Sequence, residues 1–291
     1  CPGHNRPVVE VSFSEKTADG IFHIAASLDS KAMLRNGETG DWIGTFEGHK
    51  GAVWSAKLNA TATKAATGSA DFSVKLWDAV TGDEIHTWNH HKHIVKSVDF
   101  SFDEASLATG GRDKKAFVLD LETLSDSVMA TFEHPAAVTR VLWYGEKLLL
   151  TGAEDGMVRT WDTRASGGPV RVIPVGTCVT DMELSYDRST VSVAAGKTVE
   201  FFDAQSSDFA SLMKHEMKFV QKSLSLSPDK SQFLTAAKEK EWIYIYDYRT
   251  GNEINCQKGH HGEVLAVRYA PGGTSYSSGA HDATLRLWKQ E

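Results

Sequence analysis

Gly48-His49-Lys50-Gly51-Ala52-Val53-Trp54-Ser55-Ala56-Lys57-Leu58, then Thr67-Gly68-Ser69-Ala70-Asp71, then Val74-Lys75-Leu76-Trp77-Asp78 form one unit whose spacing returns along the chain. His49 is answered by His91, and Asp71 by Asp113 and then Asp155, each step being 42 residues. In three units a Thr or Ser stands four residues before the Asp and a Trp six after it: Thr67, Asp71 and Trp77; Thr151, Asp155 and Trp161; Ser278, Asp282 and Trp288. Self-similarity at a fixed period of this size is the signature of a repeat architecture. Within the units, apolar residues alternate with polar ones in short runs such as Ile94–Phe100 and Val264–Tyr269, bounded by Gly, Asp or Asn. That is the pattern of strands, not of helices.

The Gly-His and Trp-Asp dipeptides at this period resemble the signature of the WD40 family. The resemblance implies an all-β, seven-bladed propeller of four-stranded antiparallel blades. The whole chain, 1–291, is then a single domain, with repeats near 3–47, 48–89, 90–132, 133–173, 174–213, 214–258 and 259–291. It also implies structural tetrads: His49, Thr67, Asp71 and Trp77; His134, Thr151, Asp155 and Trp161; His260, Ser278, Asp282 and Trp288. A buried imidazole needs a partner for each ring nitrogen, and a turn Asp, a hydroxyl and an indole N–H supply a continuous chain.

The remaining units are less regular. The first has His4 and Asp29, with Ala25 at the hydroxyl position and Arg35 at the Trp position. The third has His91, Thr109 and Asp113, with Leu119 in place of Trp. The fifth keeps the alternation at Val179–Leu184 and Val199–Asp203 but has neither the His nor the turn Asp, and greater local mobility is expected there. The sixth is read as keeping His215 and Thr235, with Tyr246 replacing Trp. Little sequence precedes Gly3 or follows Trp288, so the last blade is expected to be incomplete and the chain trimmed at an end.

Ser, His and Asp side by side invite a hydrolase triad. A nucleophile is needed once, however, and this set recurs, so the reading is architectural: no catalytic residue, no cofactor and no metal site. The cluster His90-His91-Lys92-His93 lacks the Cys or carboxylate company of a metal centre. A net charge of −7 argues against general affinity for a phosphate backbone; Arg112-Asp113-Lys114-Lys115 is the best candidate for a local basic patch and reads as a solvated blade turn. No apolar run is long enough to span a membrane. Three cysteines, Cys1, Cys178 and Cys256, show neither pairing nor metal spacing, which fits a reducing compartment.

A closer resemblance lies in Met33–Phe46, Gly48–Trp54, Ala62–Thr67, Trp77–Val80 and His91–Phe100, and again in Asp282–Trp288. These segments are similar to the receptor-associated subfamily of WD40 proteins. That similarity implies a non-enzymatic scaffold, cytoplasmic and nuclear, that joins the survival-of-motor-neuron (SMN) complex in assembling spliceosomal particles through a Gemin subunit. It implies contact with transforming-growth-factor-beta receptors and inhibitory Smads as well. The WD40 subunit of translation initiation factor three shares the Gly-His-x-Gly-Ala-Val-Trp segment and is the alternative; an RNA-binding propeller is the alternative of another class.

By family resemblance, partners are met on the top face. The residue five after each Gly-His histidine lies there (Val9, Trp54, Lys96, Thr139, Leu265), as does the residue before each turn Asp (Leu28, Ala70, Arg112, Glu154, His281). The candidate partner-binding set is Trp54, Lys96, Arg112, Glu154, Leu265 and His281. Trp54 is the expected anchor, since a central aromatic is a common interface hot spot.

Overall fold

In a computed structural model that describes residues 3–165 and 167–290, the chain forms seven antiparallel sheets arranged as the blades of a ring. Ser166 and both extreme termini, Cys1 among them, lie outside the described residues. The first blade runs Val8–Phe13, Phe22–Ser27, Ala32–Asn36 and Trp42–Phe46, each strand pairing with the next, and blades 2 to 6 repeat the plan. The seventh has three strands, Val264–Tyr269, Ser275–Ala280 and Leu285–Lys289. The first strand of each blade packs against the first strands of both neighbours, and Val264–Tyr269 returns to Val8–Phe13 to close the circle.

The core is distributed over the seams between blades. Trp88 and Leu76 of blade 2 pack with Val95, Val98 and Leu107 of blade 3, and an equivalent cluster fills every other junction. The closing seam is the thinnest: Val8, Val11 and Ala25 against Ala266 and Leu285.

The Gly that follows the recurring Thr or Ser has a steric reason. A Cβ on Gly68 would lie 2.7 Å from Val95 Cγ1 of the next blade, and one on Gly279 would lie 2.5 Å from Val8 Cγ1 across the closing seam. Absence of a side chain there makes the hole into which the first valine of the following blade fits.

Inner strands expose one edge to the channel, and those backbone N–H groups are met by side chains of other blades. Ala56 N–H donates to Glu10 Oε2, Val98 N–H to Ser55 Oγ, Val141 N–H to Ser97 Oγ, and Val267 N–H to Ser223 Oγ. Small polar or acidic residues at one inner-strand position thereby stitch the ring together, satisfying donors that the sheet leaves open.

Candidate functional site

Each inner strand carries a register shift near its start, at Val8/Glu10, Val53/Ser55, Val138/Arg140, Val179/Asp181, Gln221/Ser223 and Val264/Ala266; in blade 3 the shift falls opposite Val95/Ser97. A bulge leaves one residue unpaired and re-aims its side chain. The seven bulged residues are Val9, Trp54, Lys96, Thr139, Thr180, Lys222 and Leu265, and all line one cavity of about 380 Å³ at the entrance of the central channel. Five of these carry the predicted offset from a histidine. Thr180 and Lys222 do not, because blades 5 and 6 lack that anchor; the inner-strand pattern Val-x-polar returns as Val179-Thr180-Asp181 and could have found Thr180, whereas Gln221 breaks it before Lys222.

The second predicted set joins the first. Leu28, Arg112, Glu154 and His281 line the same cavity, whereas Ala70 is not among its lining residues. The structure thus brings Trp54, Lys96, Arg112, Glu154, Leu265 and His281 to one funnel. Arg112 Nη2 lies 3.5 Å from Glu154 Oε1, and Lys222 Nζ 3.7 Å from Glu263 Oε1. Lys96 Nζ sits over the Trp54 ring, 3.3 Å from its centroid. Burial pushes the Lys96 ammonium down to about 7, with Arg140 and Arg112 adding to the effect and Glu10 opposing it.

Below the funnel, Asp181 is fully buried and receives Arg268 Nη1 and Nη2 at 2.7 and 2.8 Å, Arg140 Nε at 3.0 Å and Ser223 Oγ–H at 2.6 Å. Burial works against its charge, yet the two guanidiniums hold its carboxyl well below the usual carboxylate range. At the far end of the channel, Tyr186 O–H donates to the Tyr269 carbonyl at 2.8 Å, and Arg188 pairs with Glu15 while lying over Phe102. Blade 5, which lacks the repeat's polar signature, therefore carries the anchors that cross the ring.

The tetrads link the strands within the blades that carry them. In blade 2, Trp77 Nε1–H donates to Thr67 Oγ1 at 2.8 Å, Thr67 Oγ1 meets His49 Nε2 at 2.7 Å, and His49 Nδ1 meets Asp71 at 2.9 Å. Blade 7 has the same chain through Trp288, Ser278, His260 and Asp282. Blade 4 departs from the expected set: Trp161, Thr151 and His134 are linked, but His134 Nδ1 donates to the Phe132 carbonyl, and Asp155 is taken by a bidentate Arg159. Pro135 follows His134 and has no N–H, whereas Lys50, Lys92 and His261 each donate theirs to the turn Asp of their blade; without that donor Asp155 turns to Arg159.

His215 requires a second correction. It lies in the outermost strand of blade 5, Ser211–Glu216, and bonds the Tyr248 carbonyl. The backbone position of His134, whose N–H donates to the Lys114 carbonyl, is filled in blades 5 and 6 by Val175 and Met217. In the histidine cluster, His91 belongs to the blade 3 network with Thr109 and Asp113, and the His93 ring lies tilted against Phe72. Among the described residues no group of three potential ligands converges as a metal site. Within the basic run, Arg112 pairs with Glu154 and Lys115 with Glu133, while Asp113 is turned to His91.

The sequence profile of the WD domain, G-beta repeat family matches residues 40–78, 82–120, 126–162 and 251–289. Blade 5 and most of blade 6, where the His and turn Asp are absent, fall between the matched segments. The chain is 44% identical over 291 residues to the serine-threonine kinase receptor-associated protein of Dictyostelium discoideum, covering 99% of this chain and 97% of that protein. With the human protein of the same name the identity is 44% over 289 residues, 99% and 81% of the two chains being covered. Eukaryotic translation initiation factor 3 subunit I of Culex quinquefasciatus is 27% identical over 316 residues, covering 98% and 94%.

Proposed function

This chain belongs to the WD40 family and, within it, to the serine-threonine kinase receptor-associated proteins, and on that membership we propose that it is a non-enzymatic adaptor that gathers protein partners on the entrance face of its ring. The observation that carries the reading is the convergence of all seven bulged residues on one funnel, in a scaffold whose repeated His, Thr and Asp groups are spent on holding blades together. A rigid ring that presents variable side chains from strand ends is built for recognition.

The finer assignment follows the sequence resemblance: a place in the SMN complex through a Gemin subunit during spliceosomal particle assembly, and contact with transforming-growth-factor-beta receptors and inhibitory Smads, in cytoplasm and nucleus. The lower identity to initiation factor 3 subunit I leaves that role as the competing one. Affinity capture of the tagged chain from its native lysate, with and without nuclease, tests this. Gemin and Sm proteins are expected, resistant to nuclease and lost with Trp54→Ala in a chain that still melts cooperatively. Recovery of initiation-factor subunits, or of nuclease-sensitive partners alone, would overturn the assignment.

A further inference from the structure

Among the charged groups of the funnel, Lys96 stands apart. Arg112 faces Glu154, Lys222 faces Glu263, and Arg140 is held between Glu10 and Asp181. Lys96 makes no ion pair and no hydrogen bond among the described residues, and rests on the Trp54 indole alone. Four cationic side chains and two carboxylates line the funnel of a chain whose net charge is −7, so this mouth is a basic spot on an acidic molecule. A half-buried ammonium without a counter-ion costs free energy in the folded protein, and an incoming anion removes that cost.

The geometry points to Lys96, on its Trp54 platform, as the receptor for a carboxylate of an acidic segment in the protein partner. This inference rests on the adaptor reading and names the chemistry of its partner. The funnel admits a side chain from above, the Trp54 face packs against that side chain's stem, and the ammonium supplies a charge-assisted bond. An acidic peptide is favoured over nucleic acid because the surrounding molecule repels polyanions at long range, while a short acidic segment reaches the local basic mouth.

Protonation gives the site a signature. The groups facing Lys96 are Glu10 from blade 1, Arg112 and Arg140 from blades 3 and 4, and Lys222 from blade 6, with Glu154, Glu263, Cys178 and His281 also around the funnel. An ammonium pushed down to about 7 is charged below that pH and loses its proton above it. Carboxylate binding favours the charged form, so affinity is full near pH 6 and falls up to about tenfold per unit as the pH rises beyond 7.

The test is fluorescence anisotropy with a fluorescein-labelled peptide of alternating Glu and Gly, its Gln counterpart, and a single-stranded RNA of similar length. The wild type is expected to bind the Glu peptide at pH 6 at least tenfold more tightly than the Gln peptide, and to lose that preference between pH 7 and 9. Lys96→Met removes the preference, and Lys96→Arg keeps it and abolishes its pH dependence. Thermal melting controls for folding; Lys96→Met is expected to melt no lower than wild type at pH 7. Equal affinity for the two peptides, a Lys96→Met variant that binds like wild type, or Lys96-dependent binding of RNA alone overturns the inference. In the lysate capture, protein partners retained equally by wild type and Lys96→Met would leave the adaptor standing and sink the carboxylate site; absence of any protein partner would sink the adaptor itself.

Discussion

At the scale of the residue, the recurring Thr is the pivot of its blade. Thr67 accepts from Trp77 and meets His49, so a single hydroxyl satisfies an indole donor and a ring nitrogen that are both buried. Asp71 completes the line: burial opposes its charge, but hydrogen bonds from His49 and Ser73 hold its carboxyl well below the usual carboxylate range. Thr67→Val keeps the shape and orphans both partners, and is expected to lower stability by roughly 1–3 kcal/mol in urea unfolding; an unchanged midpoint would mean that the network is ornamental. Trp77→Ala adds a cavity and is expected to cost about 3–5 kcal/mol in the same assay. Much of this was legible in the sequence, because identical chemistry at fixed offsets leaves a trace that survives without coordinates. Asp155 was not: its pairing with Arg159 follows from Pro135, which has no N–H to offer it, and a match on His, Thr, Asp and Trp does not weigh that residue. Turn geometry was equally hidden. Phe72, Lys114 and Ala283 all adopt positive φ after the turn Asp, where composition alone would call for Gly.

At the scale of the element, blade 5 shows why a lost signature does not mean a lost anchor. Its inner strand, Val179–Leu184, delivers Asp181 to Arg140 of blade 4, Ser223 of blade 6 and Arg268 of blade 7. The following loop sends Tyr186 and Arg188 across the channel floor. These are contacts distant in sequence, each unique to its position, and so periodicity could not display them. They reverse the expectation of extra mobility: amide exchange in Thr190–Ala195 is expected to be as slow as in Leu148–Ala153 of blade 4. Asp181→Asn leaves two guanidiniums without their shared counter-ion and is expected to cost roughly 3–5 kcal/mol. Replacing the pair together, Asp181→Leu with Arg268→Met, should recover part of that loss. A single substitution as mild as a surface change would show that the ring does not depend on this hub.

At the scale of the whole molecule, seven similar units make a surface with one centre. Valine knobs in glycine holes and side-chain stitches between inner strands fix the blades relative to one another, and the bulges then turn one side chain per blade toward the entrance. The ring and five of the seven funnel positions could be read from the repeat, and Thr180 from its strand pattern; Lys222 and the burden carried by Lys96 emerge only when the strands are set side by side. The most direct measurement is hydrogen–deuterium exchange on the chain alone and bound to a captured protein partner. The account predicts protection gathered at the entrance, in peptides containing Trp54, Lys96 and His281, with outermost strands such as Trp42–Phe46 and Glu253–Gln257 unchanged. Protection confined to those outer strands, or to the floor around Phe102 and Arg188, with Trp54 and Lys96 unaffected, would contradict it.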